Sequence, residues 1–476
     1  MDFRTESVAD LAAGVRSGRW SARELTDTAL DRIAAFDGGL NAFVLVDDEG
    51  ARRQADEVDT RLAAGEGVGP LAGVPLGVKD LEDAAGLPTR YGSLLSSDAP
   101  AEGDSVLVAR LRAAGCVIVG KTTTPEYGHK GVTESPLTGA TRNPWDLDRS
   151  PGGSSGGSGA AIAAGMVPLA TGSDGGGSIR IPSALCGFSG IKTSQGRVPN
   201  GGPNPPGSGL FSVKGPMALR STDLAFALDV CVGPHPSDPF SLPRSGAPWY
   251  DAVCASRLPV RVAWSPTMGF ATVDDEMATV MAAAVEQLAD AGVEIVEIDD
   301  VWPTPPIEAW LVSWAASRAL AQGHLKGTDD WVQIDESLRP QIEYGLTATA
   351  VDLARAQAAA HHYNLQLERV FETAPFLLTP ACAGLTPHIG EIGGTVNGVA
   401  TPAWVEFTYG INATRNPAGV VRVGATADGL PVGLHIVGPH LADVSVLQTM
   451  AAFERLFGLE VPPGFGGAIV SASSDR

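Results

Sequence analysis

The sequence is poor in cysteine and in positive charge. Its five cysteines are odd in number and never form a C-x-x-C pair, which argues against a disulfide framework or a zinc site and suits a reducing cytoplasm. Only 33 basic residues stand against 54 acidic ones, so the formal net charge is −21. A surface this acidic repels phosphate backbones and anionic lipids. We therefore expect neither a nucleic-acid partner nor a membrane partner.

Long apolar runs are also missing. The amino terminus carries charges where a signal peptide needs an apolar run. The longest uncharged stretch, Ser150–Ser173, holds only four strongly apolar side chains among its glycines and serines, too few for a membrane span. We predict a soluble, cytoplasmic protein that is a monomer or a homodimer.

What is present is an alternation of helix and strand patterns. Two amphipathic helices are predicted within residues 5–35, the second capped by Ser21 with Glu24 in a capping-box position. Short apolar strands then alternate with helices, which favours an α/β fold with a sheet covered on both faces. We predict one domain over residues 1–476 and an irregular surface loop at Pro199–Gly209. The other predicted helices are 52–62, 106–114, 275–291, 307–325, 350–372 and 443–457, and the predicted strands are 74–78, 116–119, 260–264, 293–298, 376–378 and 433–437.

Two local patterns match known motifs but fit them poorly. Gly115–Thr122 matches the P-loop consensus, yet its Cys-Val-Ile-Val centre favours a buried strand over a phosphate-binding turn. Gly153–Gly157 matches the G-x-S-x-G nucleophile elbow with Ser155 at its centre, and His435 or His440 would supply a histidine late in the chain. The residues before the elbow have a loop pattern instead of the strand that the motif needs. The elbow is kept as a second hypothesis.

The remaining histidines and a pair of tryptophans favour structural roles. His361 and His362 lie on a predicted helix without a carboxylate at metal-ligand spacing, so we predict no metal site. The other histidines of this group are isolated in the sequence: His129, His235, His324 and His388. Trp310 and Trp314 lie four residues apart on a predicted helix, a spacing more typical of a core contact than of a pocket.

A lysine at the end of an apolar strand is the first candidate for catalysis. Lysine is scarce, with six lysines against 27 arginines, and Lys79 ends the strand that begins at Gly73. Burial there would lower the pKa of the amine and make it a usable base. The alternative is a structural lysine paired with Asp80 or Asp83.

A glycine-rich turn, Asp174–Arg180, is the second candidate. Its three consecutive glycines let several backbone N–H groups converge on one point and bind an anion. Ser178 closes this turn and can attack a carbonyl while the N–H groups hold the oxyanion that forms. Serine needs a base for this attack. A neutral Lys79 acting through a relay hydroxyl meets that need, and Ser154 is a candidate for the relay.

These residues resemble the amidase signature family. Two segments carry the resemblance, Gly152–Ser158 and Gly172–Pro182, and similar family segments flank them at 73–80, 120–123, 143–146 and 429–434. The likeness runs from the first helix to about Glu454. It implies a single α/β/α domain around a large mixed, mainly parallel central sheet, with a signature core at about 70–220. Residues 260–460 would complete the sheet and the substrate pocket, and the family needs neither a metal nor an organic cofactor.

The resemblance also implies residue roles. Ser178 would be the nucleophile that carries the acyl group, Ser154 the serine after a cis peptide bond that relays its proton, and Lys79 the general base. The implied supporting residues are Ser155, which would orient the triad, the N–H groups of Gly175, Gly176, Gly177 and Ser178 as the oxyanion hole, and Gly128 as a substrate contact.

The implied activity is hydrolysis of a carboxylic amide or a related C–N acyl bond through a seryl acyl-enzyme. A small, aryl or alkyl amide is the first expectation, and a carbamate (urethane) or a nylon oligomer is the alternative. The glutamine-transferring subunit of a glutamine-dependent tRNA amidotransferase is a further alternative, which the acidic charge disfavours. A binding protein with an inactive site is a third class, against which the intact Lys79, Ser154 and Ser178 argue. The sequence departs from the family pattern at two places. Gly175 replaces a bulkier residue, which leaves that side of the glycine turn slimmer, and Asn416–Val423 differs from the usual small and polar family segment, which affects the expected pocket contacts.

Overall fold

The computed structural model describes residues 1–201, 211–244 and 246–466. Most of the predicted Pro199–Gly209 loop therefore lies outside the described residues. The helices are α1 Val8–Arg16, α2 Ala22–Leu40, α3 Asp48–Ala63, α4 Val106–Ala113, α5 Gly156–Ala163, α6 Arg180–Cys186, α7 Ser221–Cys231, α8 Trp249–Cys254, α9 Asp275–Asp290, α10 Ile307–Gln322, α11 Arg339–Thr347, α12 Ala350–Thr373, α13 Glu406–Thr414 and α14 Asp443–Phe457.

The strands follow the same alternation along the chain. They are β1 Phe43–Val46, β2 Pro75–Lys79, β3 Val117–Thr122, β4 Glu134–Ser135, β5 Gly139–Ala140, β6 Leu169–Asp174, β7 Gly190–Lys192, β8 Val213–Ala218, β9 Arg261–Trp264, β10 Glu294–Glu297, β11 Leu377–Pro380, β12 Gly394–Val396, β13 Val399–Thr401, β14 Ala418–Ala425 and β15 Pro431–Val437. The pairs β4–β5 and β12–β13 form small separate sheets.

Two larger sheets carry the fold. The first has the strand order β1-β3-β2-β6-β8 and the second has the order β10-β9-β11-β15-β14-β7. Their edge strands β7 and β8 lie against each other, so the two sheets adjoin. In the first sheet β2 pairs in parallel with β3 and with β6, and therefore Lys79 and Asp174 end neighbouring strands at the same edge. This edge is where a doubly wound sheet presents side chains to a ligand.

The α/β class and the mixed character of the sheets agree with the prediction, but the pairing is less parallel than predicted. Among the described strands of the two larger sheets, four pairings are parallel and five are antiparallel. The reason is local: β14 and β15 are joined by a short turn with no helical crossover, and such a connection forces antiparallel pairing. The predicted helices and strands are all present, each within a few residues of its predicted bounds.

Helix starts follow the capping chemistry of the sequence. At α2 the Ser21 side chain accepts the N–H of Glu24 and the Glu24 side chain accepts the N–H of Ser21, so the predicted capping box is present. One contiguous hydrophobic cluster joins the amino-terminal helices, both larger sheets and α14. Over the described ranges, none of the helices combines the length and the apolar content needed to cross a bilayer.

Candidate active site

Lys79 lies at the end of β2 with its side chain fully buried. Its Nζ is 2.8 Å from the Ser154 Oγ, 2.8 Å from the Ser155 Oγ and 3.0 Å from the Ser173 Oγ. The three partners are hydroxyl groups, each of which can donate as well as accept a hydrogen bond. A neutral amine, with two N–H groups and one lone pair, is therefore fully satisfied in this position.

Burial is the largest influence on the protonation of Lys79. It lowers the pKa of the amine to about 7, even though the negative charges of Glu82 and Asp174 act in the opposite direction. The alternative, a salt bridge from Lys79 to Asp80 or Asp83, is wrong: the Lys79 amine contacts serine hydroxyls instead. The cation that contacts Asp80 is Lys121, with 3.2 Å between its Nζ and the Oδ1 of Asp80.

Ser154 and Ser155 lie between a cis peptide bond and the start of α5. The cis bond joins Gly153 to Ser154, the position where the resemblance implied one. Helix α5 begins at Gly156, and Ser155 is its N-terminal cap residue. Both serines are buried, so Lys79 and the two hydroxyls share one buried cluster.

Ser178 lies on the adjoining turn and is half-buried. The N–H of Ser155 donates to the carbonyl of Ser178 over 3.2 Å, and the Ser155 hydroxyl donates to the carbonyl of Ser173 over 3.3 Å. These bonds tie the turn to the cluster around Lys79. Among the described residues the Ser178 hydroxyl makes no hydrogen bond to Ser154.

Asp174 holds the glycine turn in shape. Burial raises the pKa of its carboxyl group, but the Arg180 guanidinium at 2.9 Å and the amide of Asn412 outweigh burial and keep that pKa well below its usual range. The carboxylate also accepts the N–H of Gly177 over 2.7 Å. A permanent negative charge thus caps the turn from inside the protein.

This contact bears on the oxyanion hole, which stays a prediction. The N–H of Gly177 already donates to the Asp174 carboxylate, which binds an N–H of its own turn. The N–H groups of Gly175, Gly176 and Ser178 have no acceptor within the part of the chain that the structure describes. Gly177 has φ +123°, a backbone conformation that favours glycine.

Gly128 lies beside Ser154, and its contact with a substrate stays a prediction. A Cβ atom built on Gly128 would be 3.0 Å from the Ser154 Oγ and 2.8 Å from the Leu81 side chain, and its φ is +68°. Any side chain here would crowd Ser154. The absence of a side chain keeps the space next to the hydroxyl free.

Trp310 and Trp314 lie nearer to the site than the sequence suggested. Their rings stack with centroids 5.0 Å apart, and Trp314 is buried as predicted. The Trp310 ring is half-buried against Gly176, and its indole N–H donates to the carbonyl of Gly175 over 2.6 Å. Spacing on a helix cannot reveal this contact, because the two partners are 135 residues apart.

Thr408 is a further residue that sequence reasoning missed. Its hydroxyl donates to the carbonyl of Gly176 over 2.6 Å, and a Cβ atom built on Gly177 would lie 2.5 Å from that hydroxyl. Thr408 is on α13, far along the chain, with no local motif around it. Only the packing of α13 against the turn identifies it.

The P-loop and elbow patterns have no counterpart in the site chemistry. Residues 117–122 form the buried strand β3, as predicted for the P-loop match. His435 is buried against Arg180, and His440 contacts the carbonyl of Thr414. Across the described ranges neither histidine is hydrogen-bonded to Ser155, so the elbow hypothesis has no histidine in contact.

The remaining histidines contact neighbouring loops or solvent. His129 is buried and its Nε2 lies 2.7 Å from the Ser337 Oγ; burial lowers its pKa to about 4. His361 and His362 are exposed on α12. The described residues contain no group of three or more histidine, cysteine, aspartate or glutamate side chains arranged to hold a metal.

Comparison with known proteins gives a consistent result. The amidase family matches residues 24–447. The chain is 37% identical over 465 residues to an acylamidase of Rhodococcus erythropolis, covering 94% of this chain and 95% of the relative. It is 36% identical over 496 residues to a glutamyl-tRNA(Gln) amidotransferase subunit of Salinispora tropica, covering 97% of this chain and 99% of that relative. The structure of a bacterial aryl acylamidase superposes with a TM-score of 0.88 at 29% identity, covering 95% of this chain and 96% of that one.

Proposed function

This chain is an amide-hydrolysing enzyme of the amidase family, and we propose that its substrate is a small aryl or alkyl acyl amide, cleaved through an acyl-enzyme on Ser178. The observation that carries the proposal is the position of Lys79, a buried amine with a pKa near 7 in contact with three serine hydroxyls. The likeness to an acylamidase over nearly the whole of both chains supports the substrate class.

The first half of the reaction is acylation. The Ser178 Oγ attacks the amide carbonyl, its proton passes to Ser154, and the Ser154 proton passes to Lys79. The C–O bond to the enzyme forms as the carbonyl oxygen takes the negative charge. The N–H groups of Gly175, Gly176 and Ser178 stabilise that charge. The C–N bond then breaks, and the amine leaves with a proton returned from Lys79 through Ser154.

The second half releases the acid. A water molecule attacks the acyl-enzyme carbonyl, giving its proton to Lys79 by the same route. The ester bond to Ser178 breaks, the Ser178 oxygen takes the proton back from Lys79 through Ser154, and the carboxylic acid leaves. Lys79 must therefore be neutral at the start of each half, which its lowered pKa allows near neutral pH. Ser155 holds the amine and the Ser178 carbonyl at the same time and so fixes their relative position.

A second candidate function is amide transfer from glutamine. The 36% identity to an amidotransferase subunit favours it, since the two chains align over nearly their whole lengths. The net charge of −21 argues against it, because a tRNA-directed subunit must approach a polyanion.

The test is a substrate panel on the purified chain, with 4-nitroacetanilide, primary amides, aryl carbamates and glutamine. We expect turnover of the acyl anilide without any partner protein, and a loss of about 10⁴-fold or more in Ser178→Ala. Activity retained in Ser178→Ala but lost in Ser155→Ala would replace our nucleophile with the elbow serine. Turnover of glutamine only in the presence of partner subunits would favour the amidotransferase, and turnover of carbamates alone would move the substrate class to urethanes.

A further inference from the structure

Two side chains from helices distant in sequence donate hydrogen bonds to backbone carbonyls of the glycine turn. Trp310 on α10 donates its indole N–H to the carbonyl of Gly175 over 2.6 Å. Thr408 on α13 donates its hydroxyl to the carbonyl of Gly176 over 2.6 Å. Neither residue belongs to the lysine–serine cluster. Both bonds are partly shielded from water, and such shielding makes a hydrogen bond stronger than it is in solvent.

The direction of each peptide follows from these bonds. In a trans peptide the carbonyl of one residue and the N–H of the next point in opposite directions. The bond from Trp310 to the Gly175 carbonyl therefore turns the N–H of Gly176 away from the indole. That N–H has no acceptor among the described residues, which leaves it open to a substrate oxygen.

The next peptide is fixed at both ends and does not face the substrate. Its carbonyl, on Gly176, accepts from Thr408, and its N–H, on Gly177, donates to Asp174 over 2.7 Å. Two adjacent peptide units of the same turn thus differ in function. The peptide held by Trp310 presents a free donor, whereas the peptide held by Thr408 and Asp174 anchors the turn.

The absence of side chains on the turn makes room for the indole. A Cβ atom on Gly176 would lie 2.7 Å from the Trp310 ring, and a Cβ atom on Gly175 would lie 2.8 Å from the Trp314 ring. Trp310 stacks on Trp314, with ring centroids 5.0 Å apart, and its other neighbour is the tilted ring of Tyr409, with centroids 5.6 Å apart. These two rings hold the indole against the turn, and Trp314→Phe retains an aromatic ring for its share of the contact.

We propose that Trp310 is a positioning residue for the oxyanion hole, orienting the N–H of Gly176 through its hydrogen bond to the Gly175 carbonyl. The inference rests on the proposed acyl-enzyme on Ser178. It assigns Trp310 no contact with the reacting atoms. Its effect is on the stabilisation of negative charge in the transition state and leaves ground-state binding of the substrate unchanged.

The test compares Trp310→Phe with Trp314→Phe. Both variants keep an aromatic ring and lose an indole N–H, but the N–H of Trp314 donates to the Gln341 side chain over 2.8 Å and not to the turn. The first readout is the second-order rate of labelling by an alkyl fluorophosphonate, in which the serine Oγ displaces fluoride from phosphorus and negative charge grows on the phosphoryl oxygen. This readout needs no knowledge of the substrate.

We expect Trp310→Phe to label about tenfold more slowly and Trp314→Phe to stay within about twofold of the unmodified enzyme. With 4-nitroacetanilide the loss in Trp310→Phe is expected in kcat, with KM nearly constant, which a loosened pocket would not produce. Thermal unfolding of each variant verifies its folding. If Trp310→Phe does not fold, replacement of Trp310 by 3-benzothienylalanine removes the N–H and keeps the bicyclic ring, with the same expectation.

Two results would overturn the inference alone: labelling of Ser178 at the unmodified rate in Trp310→Phe, or equal slowing in both tryptophan variants. Mass spectrometry of the labelled protein separates these from a failure of the proposed function. An adduct on a side chain other than Ser178 would contradict the nucleophile and the inference together.

Discussion

Two buried lysines on neighbouring strands, Lys79 on β2 and Lys121 on β3, differ in the groups around them. In the parallel pairing of these strands Lys79 is opposite Thr122, so the two lysines are one residue apart in the register of the strands. Lys79 contacts three serine hydroxyls. Lys121 contacts the carboxylate of Asp80, the carbonyl of Pro88 and the hydroxyl of Thr89.

The partners decide what each amine can do. Burial lowers the pKa of both lysines. The carboxylate and the carbonyl beside Lys121 can only accept hydrogen bonds, which suits an ammonium ion with three donors. The hydroxyls beside Lys79 can donate as well, which suits a neutral amine and offers it a path for a proton. Burial is therefore necessary for a lysine base but does not identify one.

A third buried lysine sharpens the point. Burial also lowers the pKa of Lys192 to about 7, with Arg180 acting in the same direction. The hydrogen bond recorded for its Nζ is to the carbonyl of Thr193 over 3.2 Å, and no serine hydroxyl accompanies it among the described residues. Lys192 thus has a low pKa but, in the described part of the chain, no serine hydroxyl from which it could take a proton.

The largest expected effect is the loss of the base. Lys79→Met should lower kcat/KM for 4-nitroacetanilide by about 10³-fold, because the proton of Ser178 then has no acceptor beyond Ser154. The melting temperature should change little, since the hydrogen-bond partners of Lys79 are uncharged hydroxyls. Steady-state kinetics and thermal unfolding measure the two effects. Activity within tenfold of the unmodified enzyme would contradict the role of Lys79.

Lys121→Met should act on stability instead of catalysis. It leaves the buried carboxylate of Asp80 without its cation, which should lower the free energy of unfolding by about 3 kcal/mol. Chemical denaturation measures the loss, and kcat/KM per folded molecule should stay within about twofold. The double variant Asp80→Asn/Lys121→Met removes the unpaired charge and should recover part of the stability. A loss of catalysis as large as that of Lys79→Met would abolish the distinction between the two lysines.

The pH dependence of activity should follow Lys79. The amine acts as a base only when neutral, so kcat/KM should rise with pH up to an apparent pKa of about 7 and fall about tenfold per pH unit well below it. A profile from about pH 5.5 to 9 measures this limb. His129, with a pKa of about 4, is neutral over that range and cannot cause it. Lys121→Met should leave the midpoint unchanged, and a flat profile would refute a neutral-amine base.

The smallest expected effect concerns the third hydroxyl. Ser173→Ala removes one hydrogen-bonding partner of Lys79 and should lower kcat/KM by about threefold. Loss of an acceptor disfavours the ammonium ion, so the midpoint of the acid limb should move to lower pH. Thr89→Val, which removes a hydroxyl 2.9 Å from the Lys121 Nζ, is the matched control and should change neither quantity. Equal effects of the two variants would show that the hydroxyls beside Lys79 have no special function.

Much of the fold was predictable because its signals are local. The apolar run ending at Lys79 predicted β2, the run after Gly115 predicted β3, and Ser21 with Glu24 predicted the start of α2. The strands β7, β8 and β14 were not predicted, since they lie in segments rich in glycine or without clear alternation. That the chain forms a single domain stays a prediction.

The candidate site was predictable where its residues lie in the family segments. Lys79, Ser154 and Ser155 were named from the sequence, and the structure has their polar atoms in contact. The engagement of Gly177 by Asp174 was not foreseen, because a row of glycines does not reveal which N–H is occupied. The roles of these residues and of Ser178 remain proposals.

By itself the sequence determined the strand that ends in a buried lysine, the caps of its helices and the glycine turn, since each depends on residues within a few positions of one another. The tertiary structure alone decided which amine has a carboxylate partner and which has hydroxyls, and that an indole from α10 contacts the turn 135 residues earlier. The physical reason is that desolvation and hydrogen-bond direction depend on the groups brought together in space, which one-dimensional periodicity does not encode.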